Sequence, residues 1–209
     1  MTDTGNLPGK DAHNPLIAPA DFTRGDCSIR HITPADYDWI FERLWMDPQN
    51  LMTYRFNGLP PQPEQMREHL WKGVSAQFLI TRARRPQERH GLVTFYNVNH
   101  QARHAGVAVA FTEEARGIGW PMVGAGIAIE HWFRSTPCNK LWAEVPEWNQ
   151  PMLRRLDLFG FEREGCQQEH EWLDGRFWNR YLYGLLRDRW AERRHLWNRG
   201  NESTEAERA

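Results

Sequence analysis

Residues 105–134 carry the most restrictive feature of the chain: an apolar alternation, A-G-V-A-V-A-F, then T-E-E-A-R-G-I-G-W-P, then an apolar run with helical spacing. A strand that gives way to a helix across two glycines, Gly117 and Gly119, leaves free backbone N–H groups at a helix N-terminus. Those groups and the helix dipole favour an anion, and glycine lets the backbone approach it with no Cβ in the way. Pro121 falls in the first helical turn, where its missing N–H costs no hydrogen bond. Two readings stay open at this point, a phosphate cradle and an ordinary tight turn. What precedes the turn narrows the fold. Residues 77–82, 91–98 and 105–111 alternate as three successive strands, with turns at 83–90 and 99–104. Three strands in a row are not a βαβ unit, which argues against a dinucleotide-binding fold. No G-K-[ST] follows the glycines, which excludes a Walker A loop.

The flanking segments complete an α/β pattern. Residues 27–32, C-S-I-R-H-I, alternate as a strand. Thr33, Pro34 and Asp36 make a helix start, and Tyr37, Ile40, Phe41, Leu44 and Trp45 follow at helical spacing. A P-P-Q-P cluster at 60–63 opens a second helix to about Trp71. After a helix at about 120–134 come a short strand at 141–145 and a helix capped by Asn149 and stopped at Gly160. Strands at about 161–172 and 177–185 meet at Asp174-Gly175, a hairpin dipeptide. A last amphipathic helix holds Leu186, Trp190 and Trp197. The order β-α-α-β-β-β-α-β-α-β-β predicts an α/β sandwich, a mixed, mostly antiparallel twisted sheet flanked by helices. Residues 27–197 form this single domain. Residues 1–26, with several Gly and Pro and little apolar content, read as a flexible arm, and residues 198–209 as a disordered, solvated tail.

Charge excludes some functions. With 26 basic and 27 acidic residues, a net charge of −1, the chain lacks the positive excess that nucleic-acid or membrane-surface binding needs. No run of about 20 apolar residues is present to span a bilayer. The three cysteines, Cys27, Cys138 and Cys166, form no C-x-x-C pair, which argues against a disulfide scaffold or a zinc finger. With no charged-then-apolar leader, the expected location is the reducing cytoplasm.

The glycine turn is followed by K-L-W-A-E-V-P-E-W-N (140–149), then Q-P-M-L-R-R-L-D-L-F-G-F (150–161). E-R-E-G-C-Q-Q-E-H-E-W-L-D-G-R-F-W-N-R-Y-L-Y-G-L-L (162–186) comes next. In this order the set resembles the GNAT family of N-acetyltransferases, and most of all its RimJ/RimL-like branch. That branch includes ribosomal-protein N-terminal, spermidine and antibiotic acetyltransferases. The resemblance covers about residues 27–190. It implies a GNAT-like sheet, acetyl-CoA as co-substrate and an amine as acceptor. The family's loop pattern is Q/R-x-x-G-x-G/A, and here it reads E-A-R-G-I-G, with Glu114 where Gln or Arg is usual. By resemblance, the backbone of Val107, Ala108 and Val109 holds the pantetheine arm. Glu114, Ala115, Arg116, Gly117, Ile118 and Gly119 take the pyrophosphate, and Asn149 contacts the pantetheine. An acid beside a pyrophosphate is unfavourable, so Glu114 is expected to point away while Arg116 offers charge. A plain helix N-cap is the other reading of Asn149, and the two roles are compatible.

Moving an acyl group from a thioester to an amine needs a base for the amine, donors for the developing oxyanion and a proton for the thiolate. Direct attack by the amine needs no covalent nucleophile, in keeping with the lack of a G-x-S-x-G elbow. The string E-G-C-x-x-x-x-E-W-L-D-G matches one in which RimL-like proteins place a glutamate base, which makes Glu171 the first catalytic candidate. The bulk of Trp172 and nearby rings would tune it upward. A solvent-facing or Arg-paired carboxylate is its alternative reading. Glu144 is second; alternation puts it on the Trp142 face of its strand, opposite Leu141, Ala143 and Val145, and a salt bridge is its alternative fate. His100 and His104 flank a hairpin turn, and without paired Cys, Asp or a third spaced His no metal is expected. The family's usual Tyr and Ser acids are replaced by Leu156 and Met152, and its late aspartate by Asn179.

Trp71, Trp120, Trp132, Trp142, Trp148, Trp172 and Trp178 fall on the elements around this site. They read as core and sheet-edge packing, or as an apolar channel for an aromatic amine or a longer acyl chain. The expected function is transfer of an acyl group, acetyl above all, from acyl-CoA to a primary amine in a ternary complex. The acceptor is an amine-bearing small molecule or a protein N-terminus, and a homodimer is one expected assembly. The rival reading, kept alive by Leu156 and Met152, is a catalytically weak or inactive module of the same fold that binds CoA or another protein. A third makes the Trp-bearing last helix a docking element for a partner.

Overall fold

β1 (Thr23–Arg24), β2 (Cys27–His31), β3 (Val74–Arg82), β4 (Arg89–Asn99), β5 (His104–Phe111), β6 (Lys140–Pro146), β7 (Glu162–Leu173) and β8 (Arg176–Leu186) build one sheet, ordered β1-β2-β3-β4-β5-β6-β8-β7. All neighbours run antiparallel except β5 and β6. The helices are α1 (Tyr37–Ile40), which continues as a π turn over Phe41–Trp45, α2 (Pro48–Thr53), α3 (Met66–Trp71), α4 (Trp120–Ser135), α5 (Gln150–Leu158) and α6 (Arg187–Asn198). The mostly antiparallel α/β sandwich expected from the element order is thus the observed fold. This computed structural model describes residues 22–53, 56, 58–59 and 62–198, without the side chains of 196–198. The expected arm up to residue 21, the tail from 199 and the Trp197 side chain lie outside the described residues. Among those described, no helix is long and apolar enough to cross a membrane.

Strand alternation sends side chains to two cores. Phe78 and Ile80 of β3 join α4 and the C-terminal half of the sheet in the larger core. Leu79 and Leu92 face the other way and pack on Ile40, Leu44, Trp45, Met66 and Leu70 from the first three helices. Helix α4 is buried almost continuously from Pro121 to Phe133, so it is the central helix. It lies close on the sheet at Gly124, where a Cβ would come 2.7 Å from Ile80 Cγ2. Trp190 of α6 is buried, and its Nε1 donates to Glu130 Oε2 of α4 at 2.6 Å. Trp190 is therefore an internal anchor of α6 and is not available as a docking contact.

Two boundaries and one helix differ from the sequence expectation. Phe22 and β1 belong to the folded body, because β1 pairs with β2 and Phe22 packs on Phe78, His31 and His131. Arg82 Nη1 closes that hairpin on Asp26 at 2.5 Å. Leu186 ends β8 and does not open α6. Helix α2 was not anticipated; Asp47 Oδ1 caps it by accepting from the Asn50 N–H at 2.9 Å.

The start of α1 holds a buried acid. Asp36 is 1% exposed and accepts from Arg30 (2.8 and 2.7 Å), Arg89 Nε (2.9 Å), and the Thr33 N–H (2.8 Å) and hydroxyl (2.9 Å). The Arg30 hydrogen bonds hold its carboxyl well below the usual range, Thr33 helps, and burial opposes them. A depressed folded pKa gives stability that is full above the unfolded value of about 3.9 and is lost as pH falls through the folded value. Asp36→Asn removes that term and leaves two arginines without their acid. Both arginines are partly exposed, so the expected cost at pH 7 is about 2–3 kcal/mol. The deficit, read from denaturant melts, shrinks as the pH approaches the acid range.

Candidate active site

β5 and β6 are the parallel pair, and they stay together briefly. His104, Ala105 and Gly106 face Lys140, Leu141 and Trp142, and beyond them the strands part. Tyr96 of β4 marks the fork. Its ring folds over Gly106, where a Cβ would lie 2.6 Å from Tyr96 Cζ, and its centroid is 5.1 Å from that of Trp142. Past the fork, the edge of β5 from Val107 to Val109 that faces β6 has no strand partner. A cavity of about 540 Å³ occupies the gap.

Alternation shows that this cavity passes through the sheet. Val107 and Val109, with Ala143 and Val145, share the larger core, and Met122, Ile129, Met152, Leu156 and Phe159 of α4 and α5 continue that apolar wall. Ala108 and Glu144 point to the opposite face, where Thr53, Lys72, Tyr96, Asn97, Glu171 and Arg180 also line the cavity. One slot therefore has an apolar end between helices and a polar end on the other side of the sheet.

The glycine turn sits at the start of α4. A short 3-10 turn, Glu113–Ala115, leads to Gly117 at φ 78° and to Gly119 as the N-cap of α4. A Cβ on either glycine would meet nothing within 4 Å. Among the described residues, no protein group accepts from the N–H of Gly117, Ile118, Gly119 or Trp120. Open space in front of free donors is what a phosphate cradle requires. Glu114 points away, to Arg43, and its carboxyl is held below the usual range first by its own N–H and then by that guanidinium. Arg116 departs from expectation. Its guanidinium turns inward to Asp47 and to the Phe111 carbonyl, so it ties the loop to α2. Asn50 Nδ2 adds a second tie to Phe111 O at 3.0 Å.

Asn149 caps α5 by position but not by its side chain. The next two residues are Gln150 and Pro151, and proline has no N–H to give. The third, Met152, donates its N–H to the Asn149 carbonyl at 3.0 Å. The Asn149 amide is thus left over, and it lines the cavity. Asn149→Ala should leave the melting temperature of the protein nearly unchanged. CoA affinity, read by calorimetry, should fall about 5- to 10-fold for the loss of one neutral hydrogen bond.

At the polar end the two carboxylates meet through a residue that sequence reasoning missed. Arg180 Nε donates to Glu171 Oε1 at 2.7 Å, and its Nη1 donates to Glu144 Oε2 at 3.0 Å. Glu144 lies on the Trp142 face, as alternation requires. Glu171 reaches the cluster past a bulge in β7, where Gln167 faces Arg180 while Glu171 faces Trp178. Glu169 takes a left-handed φ of 47° there, and Asn179 Oδ1 fixes the bulge by accepting from the Glu169 N–H at 3.0 Å. Asn179 therefore shapes the strand. Trp172 does not shelter Glu171. It is 61% exposed at the hairpin tip against Phe177, on the opposite face of β7. None of the seven tryptophans lines the cavity; Trp132, for example, is stacked on Phe95 in the core at 4.4 Å. Leu156 and Met152 do line it, and neither carries a transferable proton. His104 does not, and among the described residues no three His, Cys, Asp or Glu side chains gather as a metal site.

A model of the acetyltransferase (GNAT) domain matches residues 27–162. A search of curated proteins finds no match. Among solved structures, the fold is similar to spermidine N-acetyltransferase from Vibrio cholerae in complex with CoA and spermine. The TM-score is 0.70 at 19% identity, over 79% of this chain and 98% of that one. The spermidine/spermine N-acetyltransferase SpeG of Vibrio cholerae with manganese ions gives 0.66 at 20% identity, over 80% and 96%. A putative acetyltransferase gives 0.67 at 17% identity, over 85% and 91%. With a split parallel strand pair, a free glycine turn and a family model across most of the domain, the chain belongs to the GNAT acetyltransferase family, whose reaction moves an acyl group from acyl-CoA to an amine.

Proposed function

We propose that the protein acetylates a primary amine on a small molecule, in the cytoplasm, by direct attack within a ternary complex. We assign it to the RimJ/RimL-like branch on the E-G-C-x-x-x-x-E-W-L-D-G string. One observation carries the reading: a single slot through the sheet ends at apolar helix walls on one side and at the Glu144–Arg180–Glu171 cluster on the other. In this reading the unpaired edge of Val107 to Val109 takes the pantetheine amides as a sheet edge takes a strand. Asn149 contacts the same arm. The N–H groups of Gly117 to Trp120 take the pyrophosphate, with Ala115 and the turned-in Arg116 setting the loop's shape. Glu171 is the base. Among the described residues its Oε2 has no protein partner, so it can accept the amine's proton directly or through a water. Glu144 is the reserve. Because Leu156 and Met152 offer no proton, the thiolate is protonated from water. The choice of a small molecule is supported by the spermidine and spermine named for the similar structures.

The test is calorimetric titration with CoA, followed by acetyl-CoA turnover with a library of primary amines. Binding together with an acetylated amine supports the reading. CoA binding without any acetylated product would favour the inactive module.

A further inference from the structure

Taking the acyl transfer just proposed as given, we infer that Arg180 sets the charge of the acceptor: the polar end takes an amine with one ammonium group and an uncharged body, and it disfavours polyamines. Among the described residues that line the cavity, the carboxylates are Glu144 and Glu171 and the cations are Arg180 and Lys72. One guanidinium serves both carboxylates, at 2.7 and 3.0 Å. Arg180 and its two carboxylates sum to −1, which matches one ammonium, and Lys72 brings the described charged lining as a whole to zero, which leaves no negative charge for a second. Thr53, Tyr96 and Asn97 complete this end with neutral polar groups. A primary amine has a pKa near that of lysine, about 10.4, so a polyamine enters neutral solution with several charges. Its second and third ammonium groups would find no further carboxylate among the described lining residues and would lie near the Arg180 guanidinium. Like charges brought together in a partly desolvated cleft oppose binding.

Arg180 is well held for this work. It is diagonal to Glu171 across β7–β8 and to Glu144 across β6–β8, and cross-strand diagonals are within reach of long side chains. Its side chain is 22% exposed and that of Glu171 is 15% exposed, so salt screens the pair only in part.

The experiment titrates the CoA-loaded protein with phenethylamine and with spermidine, in wild type, Arg180→Gln and Arg180→Lys. Wild type should bind phenethylamine at least about 10-fold more tightly than spermidine. Arg180→Gln exposes both carboxylates and should tighten spermidine about 10-fold or more, while Arg180→Lys keeps the wild-type preference. A gain in affinity cannot come from misfolding. Tighter spermidine binding by wild type, or no gain for spermidine in Arg180→Gln, overturns the inference. CoA titrations of the same variants and amine titrations without CoA keep this result separate from the acyl-transfer reading, since CoA affinity reports on the glycine turn and amine preference on Arg180.

Discussion

Glu171→Gln is expected to lower kcat by about 10²–10⁴-fold while CoA affinity stays unchanged. The glutamine keeps the volume of the side chain and an oxygen that can still accept from Arg180 Nε, so the β7–β8 diagonal survives. It has no lone pair basic enough to take a proton from an ammonium. An alkylamine with a pKa of about 10 is nearly all protonated at neutral pH, so the rate depends on that base. The loss should shrink as pH rises and solvent supplies free amine. A pH–rate profile of wild type and variant, with kcat and KM separated, reads this directly. If the variant keeps near-normal kcat across the range, Glu171 is a structural partner of Arg180 and Glu144 becomes the base to test.

Gly117→Asp should weaken CoA binding about 30- to 1,000-fold, from the loss of one or two charge-assisted hydrogen bonds worth about 2–4 kcal/mol. The φ of 78° at Gly117 is left-handed, a region that aspartate enters at modest cost. The space in front is empty, so the new Cβ meets no protein atom and the fold survives. The carboxylate then stands where the N–H groups of Gly117 to Trp120 would hold phosphate, and repels it. Gly117→Ala separates the terms: it adds the Cβ without the charge and should cost much less. Equal CoA affinity in wild type and Gly117→Asp would remove the pyrophosphate from this turn.

Local pattern located most elements within a few residues, because each carries its own punctuation. Asp174 and Gly175 take φ of 51° and 76°, as a two-residue hairpin turn requires, and Gly160 ends α5 at φ 79°. Glu114 pointing away and the faces of β6 also followed from local chemistry. The fork between β5 and β6 did not, because the register of two strands far apart in sequence is set by what packs on them; here Tyr96 on Gly106 gives no periodic signal. The Arg116–Asp47 pair was not legible because Asp47 caps a helix that the pattern missed. Trp172 was misread because a strand neighbour in sequence points to the other face. Arg180 was within reach: the Asp174-Gly175 turn sets Glu171 opposite Trp178, and Arg180 is the next residue on that face. Both glutamates pair with an arginine, as the Arg-paired alternative for Glu171 and the salt bridge for Glu144 allowed, and the diagonal that unites them is the part that only the sheet reveals.

In the proposed reaction one slot brings the thioester from the glycine-turn side to an amine held at Glu171. Incubation of the protein with acetyl-CoA and a set of primary monoamines, followed by parallel assay of free thiol and acetylated product by mass spectrometry, tests it most directly. One mole of acetylated amine should form for each mole of thiol released, with both lost together in Glu171→Gln and in Gly117→Asp. Thiol release without acetylated amine, or CoA binding with neither product from any amine, would contradict it.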